Sequence, residues 1–405
     1  MHILVLDTIH GGNEIGQGLI SAGNTVDMVD IYRGTTPIEA QNAQHRDYDL
    51  IVAPVHLDPH HPLLRKGEIP VISHHEAVGR ILADRIPVPM IEITGARGKT
   101  TTAHAIASLM PGHGILHTSA GTYSYPGQEV LWKKSITPAS VIPAALSAFG
   151  CGGWLVAEES LGVTGVGDLA IITSAEDYAF AKGEKKALTE KLRSAKRSGK
   201  LLVAQGATTD HPDACYVEDI VQCKGNECTG VSKGVPFRIS NPLLGIPEYR
   251  NPIMLAAAAA VILRLDPTPL NEFTAINGRM SVQHVNNLIV VDNANSGTDA
   301  TTTIRAVRYA RECSGIDDLT LVIGQMEGDG AVCEGFSFEQ ILYTLRNTHP
   351  DHVIWVGKVP QEGTDWSDAM SPIPYSLCGT LEEARHRALE KTSKGSIVLA
   401  VKTWR

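Results

Sequence analysis

The sequence predicts an α/β protein of three domains, with a phosphate-loop (P-loop) domain in the centre and a Rossmann-like domain on either side. Three observations predict it. An apolar, β-branched run ending at Met90–Thr94 enters a two-glycine loop and then an alanine-rich helical pattern, Ala103–Met110. Strand-like runs alternate with helical patterns both before and after that loop. Short linkers, Ala83–Pro87 and Leu265–Pro269, divide the 405 residues into 1–88, 89–277 and 278–405.

The central loop reads Thr94-Gly95-Ala96-Arg97-Gly98-Lys99-Thr100-Thr101. Glycines let backbone N–H groups crowd onto phosphate oxygens, and the start of the following helix adds its positive dipole end. Lys99 is placed to reach the β- and γ-phosphates of a nucleotide, and the Thr100 hydroxyl to hold Mg2+. ATP and Mg2+ are therefore the expected cofactors, with residues 95 to 101 as the cradle. The usual P-loop has a further glycine where this chain has Ile93. A plain glycine turn before a helix is the alternative.

Composition narrows the function classes. Hydrophobic residues make 43% and charged residues 20%, as in a globular protein. A net charge of -9 disfavours non-specific nucleic-acid binding, which needs basic surface. No run approaches the roughly 20 apolar residues of a membrane span. The chain begins directly on a strand pattern, so no signal peptide is expected and a cytoplasmic location is. Seven scattered cysteines suggest reduced thiols; Cys223 and Cys228 lack a second pair at ligand spacing and read as surface-loop thiols.

In order along the chain, residues 1–88 give strands at His2–Asp7, Thr25–Asp30 and Asp49–Pro54, with a helix at Gly11–Ala22. The loop from Asp7 to Gly12 lies at the carboxyl end of the first strand, where open α/β sheets bind ligands. His10, Gly11 and Gly12 are candidate substrate contacts; a tight turn with no ligand is the alternative. His56, His60, His61, His74 and His75 complete a histidine-rich domain. Asp58-Pro59 interrupts the i, i+4 pair His56 and His60, so no metal site is assigned and most of these histidines read as surface loop residues.

In the central domain, Trp154–Ser160 is an apolar strand ending in two carboxylates and a hydroxyl, with Glu158 as the candidate Mg2+ ligand. Leu169–Tyr178 is a second such strand, followed by a lysine-rich stretch, Lys182–Lys200, expected to be a helix with a solvated face that includes Lys191. Asn251 precedes an expected helix Pro252–Leu265. It suits either an adenine edge or an N-cap. The third domain opens with Gly278-Arg279-Met280, whose guanidinium can neutralise a γ-phosphate. A strand, Leu288–Val291, then runs into Asp292-Asn293-Ala294-Asn295, which is a ribose-contact candidate or a β-turn. Three more strands and two helices alternate to the end of the chain.

The order of these elements resembles the Mur ligase family. They are a Thr-Gly-x-x-Gly-Lys-Thr-Thr loop, Glu-x-Ser at Glu158–Ser160, Asp177-Tyr178, Asn251 before an alanine helix, Gly278-Arg279, and Asp-x-x-Asn at Asp292–Asn295. The resemblance implies a three-domain Mur ligase-like architecture and an ATP-dependent, ADP-forming ligase or cyclase. It implies catalytic roles for Lys99, Glu158 and Arg279, nucleotide contacts from Asn251, Arg279, Asp292 and Asn295, and Mg2+ at Thr100 and Glu158. Tyr178 stands where the family has a metal-binding His, and Thr173 or Ser174 where it has an Asn. Lys191 lies near the distance of a carbamylated family lysine, and Lys402 matches a lysine after the last strand. Leu6–Gly12, Val29–Gly34 and the compact length resemble a divergent archaeal branch. In that branch the acceptor is a propionate of a nickel tetrapyrrole, activated as an acyl phosphate for ring closure. The implied partner is that small molecule alone, acting on a monomer or homodimer. Amide ligation of an amino acid to a carboxylate precursor is the alternative reaction.

Overall fold

The computed structural model describes residues 1–32, 42–64, 69–326, 336–358 and 373–403. They form two compact units, Met1–Phe273 and Thr274–Arg405. Arg33 and Gly34 of the Val29–Gly34 tract, and Cys333, one of the seven cysteines, lie outside the described residues.

The first unit holds two parallel-rich sheets. β1 (His2–Leu6), a π-type turn (Thr8–Gly12), α1 (Asn13–Ser21), β2 (Thr25–Val29), β3 (Leu50–Ala53), β4 (Val71–Ser73) and α2 (His74–Leu82) build the smaller one, ordered β2-β1-β3-β4. The larger sheet begins with β5 (Met90–Thr94) and α3 (Lys99–Ala107), then β6 (Gly114–Thr118), β7 (Gly121–Tyr125), β8 (Glu129–Trp132) and α4 (Pro138–Gly150). It continues with β9 (Trp154–Glu158), β10 (Leu169–Ile172), the hairpin β11 (Ala179–Phe180) and β12 (Lys185–Lys186), and α5 (Ala187–Ala195). It ends with β13 (Leu201–Val203), β14 (Ala214–Tyr216) and α6 (Val217–Ile220). Its order is β14-β13-β10-β5-β9-β6-β7-β8, so the phosphate loop leaves the middle of the sheet. β5, β9 and β10 are buried along their whole length, which is why they read as largely apolar runs rather than alternating ones, broken by Glu92 in β5 and Glu158 at the end of β9.

The two sheets share a core. Ile3, Val5, Ile15 and Leu19 of the small sheet and its helix pack in one cluster with Val141, Ala144, Ala145 and Ala148 of α4 and with Leu155 and Ala157 of β9. Alanines on α4 permit that close approach. A three-stranded antiparallel meander, β15 (Val221–Lys224), β16 (Glu227–Ser232) and β17 (Val235–Ser240), and α7 (Pro247–Ile262) complete the unit.

The second unit is one six-stranded sheet. β18 (Ser281–Val285), β19 (Leu288–Asp292), α8 (Ala300–Ser314), β20 (Leu319–Gln325), α9 (Phe338–Thr348), β21 (His352–Val356), β22 (Tyr375–Cys378), α10 (Leu381–Lys391) and β23 (Gly395–Lys402) are arranged β18-β19-β23-β20-β21-β22. Only β18 pairs antiparallel within that sheet. An Asp299–Thr302 capping box starts α8, and β23 is buried at all eight residues.

Several expectations are corrected. The expected helix Lys182–Lys200 is a hairpin followed by the shorter α5, because Ala179 and Phe180 pair with Lys186 and Lys185. α7 starts at Pro247, not Pro252, so Asn251 lies inside the helix and is not its N-cap. His74 and His75 are not surface loop residues: both are buried in α2, donating through Nε2 to the Leu6 and Ser160 carbonyls, 2.9 Å away in each case. Cys223 and Cys228 are not loop thiols either. They face each other on β15 and β16 and are joined as a disulfide, with Cys228 fully buried.

Candidate nucleotide-phosphate site

The site is built at the carboxyl end of β5. Two glycines set the loop. Gly95 has φ of 151°, and a Cβ there would fall 2.1 Å from the Thr173 hydroxyl oxygen, so the loop closes tightly on the end of β10. Gly98, at φ of 83°, is the N-cap of α3 and brings no side chain, so no cap competes with an anion for the first helical amides. Thr173 Oγ1 donates to the Arg97 carbonyl, and the Ser174 hydroxyl accepts from the Ala96 and Arg97 amides at 3.1 and 3.4 Å. Asn251 Nδ2 donates to the Thr173 carbonyl at 2.7 Å, which ties α7 to the same corner. Arg97 pairs with Glu176 at 2.7 Å, outside the cradle.

The polar centre is buried. Glu158, at the end of β9, accepts at Oε2 from the Thr100 hydroxyl (2.8 Å) and the Ser119 amide (3.0 Å). Lys99 Nζ lies 3.8 Å from the other Glu158 oxygen and donates to the Gly95 carbonyl at 3.2 Å. Ser119 Oγ is 3.2 Å from Thr100 Oγ1. These hard oxygens around one carboxylate are the donor set a small divalent cation needs. Behind them, His117 is clamped between Thr122 Oγ1 at 2.7 Å and Ser140 Oγ at 2.8 Å, and burial holds its pKa down at about 4. Sequence reasoning assigned no role to Ser119 or His117. No motif signalled that a turn after β6 would aim an amide at Glu158.

Lys191 corrects a further expectation. It is 1% exposed, not on a solvated face. Its Nζ has no hydrogen-bond partner and sits 4.9 Å over the Tyr178 ring. Burial, then the charge of Lys99, lowers its pKa to about 8, with Asp177 opposing. A lysine in this state is more often a neutral, nucleophilic amine than an ordinary surface one.

Glu159, next to Glu158, is fully buried with neither oxygen hydrogen-bonded. Burial first, then the charge of Glu92, pushes its carboxyl well above the usual range. Glu92 is itself buried and accepts from the Thr164 hydroxyl and the Gly165 and Gly167 amides. The folded state therefore holds a proton at Glu159 that the unfolded chain releases above about pH 4.5, so this group costs increasing stability as pH rises from there towards its folded pKa. Glu159→Gln removes that dependence. The Tm of the variant minus that of the wild type should grow between pH 5 and pH 8; a difference independent of pH would mean that Glu159 is ionised in the fold.

Other expected residues are placed as follows. Gly11 packs on α4, where a Cβ would fall 2.3 Å from Ala139 Cβ, and a Cβ on Gly12 would overlap the Asp7 carbonyl, so close packing accounts for both glycines. In the second unit, Asp292 accepts the Ala294 amide at 3.1 Å, and Asn295 bridges from the Gly278 carbonyl (2.7 Å) to the Gly297 amide (2.8 Å). The tract 292–297 is thus a hydrogen-bonded turn anchored to the segment that carries Arg279. Lys402 is buried at the end of β23.

Residues 282–403 match the family model "Coenzyme F430 synthetase CfbE, C-terminal domain". The chain is 29% identical to the coenzyme F(430) synthetase of Methanosarcina acetivorans, over 98% of this chain and 97% of that protein. Among solved structures it is similar to a pseudomurein peptide ligase type C from Methanothermus fervidus, at TM-score 0.51 and 15% identity over 99% of this chain and 97% of that one. It is also similar to a bifunctional folylpolyglutamate synthase/dihydrofolate synthase from Yersinia pestis complexed with AMPPNP and Mn ion, at TM-score 0.56 and 13% identity over 82% and 90%. The chain has the fold of the Mur-type ligases, and along nearly its whole length its sequence is similar to a coenzyme F(430) synthetase.

Proposed function

We propose that this protein uses ATP and Mg2+ to phosphorylate a propionate of a nickel tetrapyrrole, 15,17(3)-seco-F(430)-17(3)-acid, and closes the carbocyclic ring to give coenzyme F(430). The observation that carries the ATP-dependent half is the buried Lys99–Thr100–Glu158 cluster on the phosphate loop. The tetrapyrrole rests on the similarity, along nearly the whole chain, to a protein named for that reaction.

Residues 1–88 would form the substrate domain, 89–277 the ATP-binding domain and 278–405 the third. Loop amides from Gly95 to Thr101 would cradle the phosphates, and Lys99 would neutralise charge on the transferred group. Thr100 and Glu158 would hold Mg2+, which supplies charge neutralisation at the phosphate oxygens when bound. The carboxylate oxygen attacks the γ-phosphorus and ADP leaves. A carbon nucleophile of the same molecule then attacks the acyl phosphate, losing a proton as phosphate departs, so the product is the acid less one water. Lys191, whose lowered pKa of about 8 raises its share of free amine, would react in that form with carbon dioxide, releasing a proton, to become a carbamate and gain the negative charge that Tyr178 does not supply. The His10–Gly12 turn would face the substrate. Roles for Asn251, Arg279, Asp292 and Asn295 at the nucleotide stay part of this proposal, as does a cytoplasmic location. No helix among the described residues is long and apolar enough to cross a membrane.

The test is phosphate release with ATP and Mg2+, with and without the nickel seco-acid, in the absence of any amino acid. Release stimulated by the tetrapyrrole, with a product lighter by one water, is the expected result. Release that appears only when an amino acid and a carboxylate precursor are added would overturn the ring-closing reading in favour of amide ligation.

A further inference from the structure

Asp7 leaves β1 with φ of 73°, an uncommon conformation for a residue with a side chain. Its side chain is fully buried. Oδ1 accepts the amides of Ile9 (3.0 Å) and His10 (3.1 Å), which fixes the carboxylate and leaves Oδ2 directed elsewhere. Two imidazoles from different loops converge on Oδ2: His10 Nδ1 at 2.7 Å and His56 Nε2 at 3.6 Å. Tyr32 packs on both rings, stacked on His56 at 5.6 Å and edge-on to His10 at 5.4 Å. One donor atom from each of Asp7, His10 and His56 lies within 4.8 Å of the others.

An ordinary Asp–His hydrogen bond explains only part of this. His56 Nε2 is buried without a hydrogen-bond partner, and 3.6 Å is too long for one to Asp7. Leaving such an atom unpaired is costly. The ionic partners of Asp7 among the described residues are these two histidines alone, so a cation between the three groups would meet both needs. Donors bonded to one first-row ion at about 2.0–2.2 Å stand roughly 3 Å apart, close to the spacing seen. We propose that Asp7, His10 and His56 form a binding site for one divalent first-row transition ion, such as Zn2+ or Co2+.

One carboxylate oxygen and two imidazole nitrogens on one side of an ion leave its remaining positions open. The cluster lies at the carboxyl ends of β1 and β3, and the His10 and His56 side chains are 27% and 33% exposed. The geometry favours a free ion over nickel held in a macrocycle. Ring nitrogens fill the equatorial positions of a tetrapyrrole nickel, which then offers a single axial position to each face, whereas this cluster presents three adjacent donors.

The test uses the full-length protein, stripped with a chelator and titrated with Co2+ in excess Mg2+, without nucleotide or tetrapyrrole. It therefore stands or falls separately from the proposed reaction. One equivalent of Co2+ is expected by calorimetry, with visible d–d absorption and no thiolate charge-transfer band. His56→Ala and His10→Ala should each weaken binding at least about tenfold, since even the loss of an outer-shell partner costs about 10–100-fold. Asp7→Asn should abolish binding, and circular dichroism would check its fold because Oδ1 also holds the turn. His56→Ala keeps that turn intact. No stoichiometric uptake, uptake unchanged in His56→Ala and His10→Ala, or a thiolate band that places the ion on cysteine would each overturn the site.

Discussion

Lys99→Ala should lower kcat for phosphate release by about 10² or more, the scale of losing a group that stabilises charge in the transition state. Lys99 Nζ already sits within the loop, 3.2 Å from the Gly95 carbonyl and 3.8 Å from Glu158, with its side chain 17% exposed. A short rearrangement delivers it to a β/γ-phosphate without building a new site. Truncation removes the only charge the loop sequence offers at that point, because Arg97 is drawn aside by Glu176. Lys99→Arg keeps the charge and changes its shape, and a planar fork does not replace a compact ammonium in a tight cradle. It should recover only part of the loss. Unchanged thermal unfolding would separate this from a folding defect. Retention of more than about a tenth of kcat in Lys99→Ala would remove the phosphate-loop assignment, given that scale.

Much of the frame behind that prediction was legible in the sequence, for local reasons. A fully buried parallel strand is mostly apolar, so β5, β9 and β10 stood out despite Glu92 within β5 and Glu158 at the end of β9, and a loop that needs φ of 151° and 83° favours glycine there. What was not legible depends on distant pairing. Lys185, Lys186, Lys191, Lys196 and Lys200 read as one solvated lysine-rich face; only the hairpin before α5 and the packing against β10 decide that Lys191 is the one turned inward. His10 and His56 are 46 positions apart, and parallel pairing of β1 with β3 brings their loops together over Asp7. The Cys223–Cys228 bridge likewise follows from an antiparallel register, Cys223 opposite Cys228, which their spacing alone did not reveal.

Glu158→Gln should raise the Mg2+ concentration needed for half-maximal phosphate release at least about tenfold and lower the rate at saturation. A neutral amide is a much poorer partner for a hard cation than a carboxylate. The geometry makes this substitution informative. A glutamine oxygen at the same place can still accept from the Thr100 hydroxyl and the Ser119 amide, which now stand 2.8 and 3.0 Å from Glu158 Oε2. The turn after β6 and the start of α3 should therefore keep their positions, and the variant reports lost charge rather than lost structure. Thr100→Ala supplies the complementary case, removing a neutral oxygen and leaving the carboxylate. If both residues hold the ion, both titrations shift to higher Mg2+, with Glu158→Gln shifted further. An unchanged titration in Glu158→Gln would move the metal to other ligands. A shift in Thr100→Ala alone would mean that the carboxylate serves mainly to orient the hydroxyl. The second outcome has a physical basis in the short Thr100–Glu158 bond, in which the hydroxyl donates its proton to the carboxylate and turns its lone pairs outward.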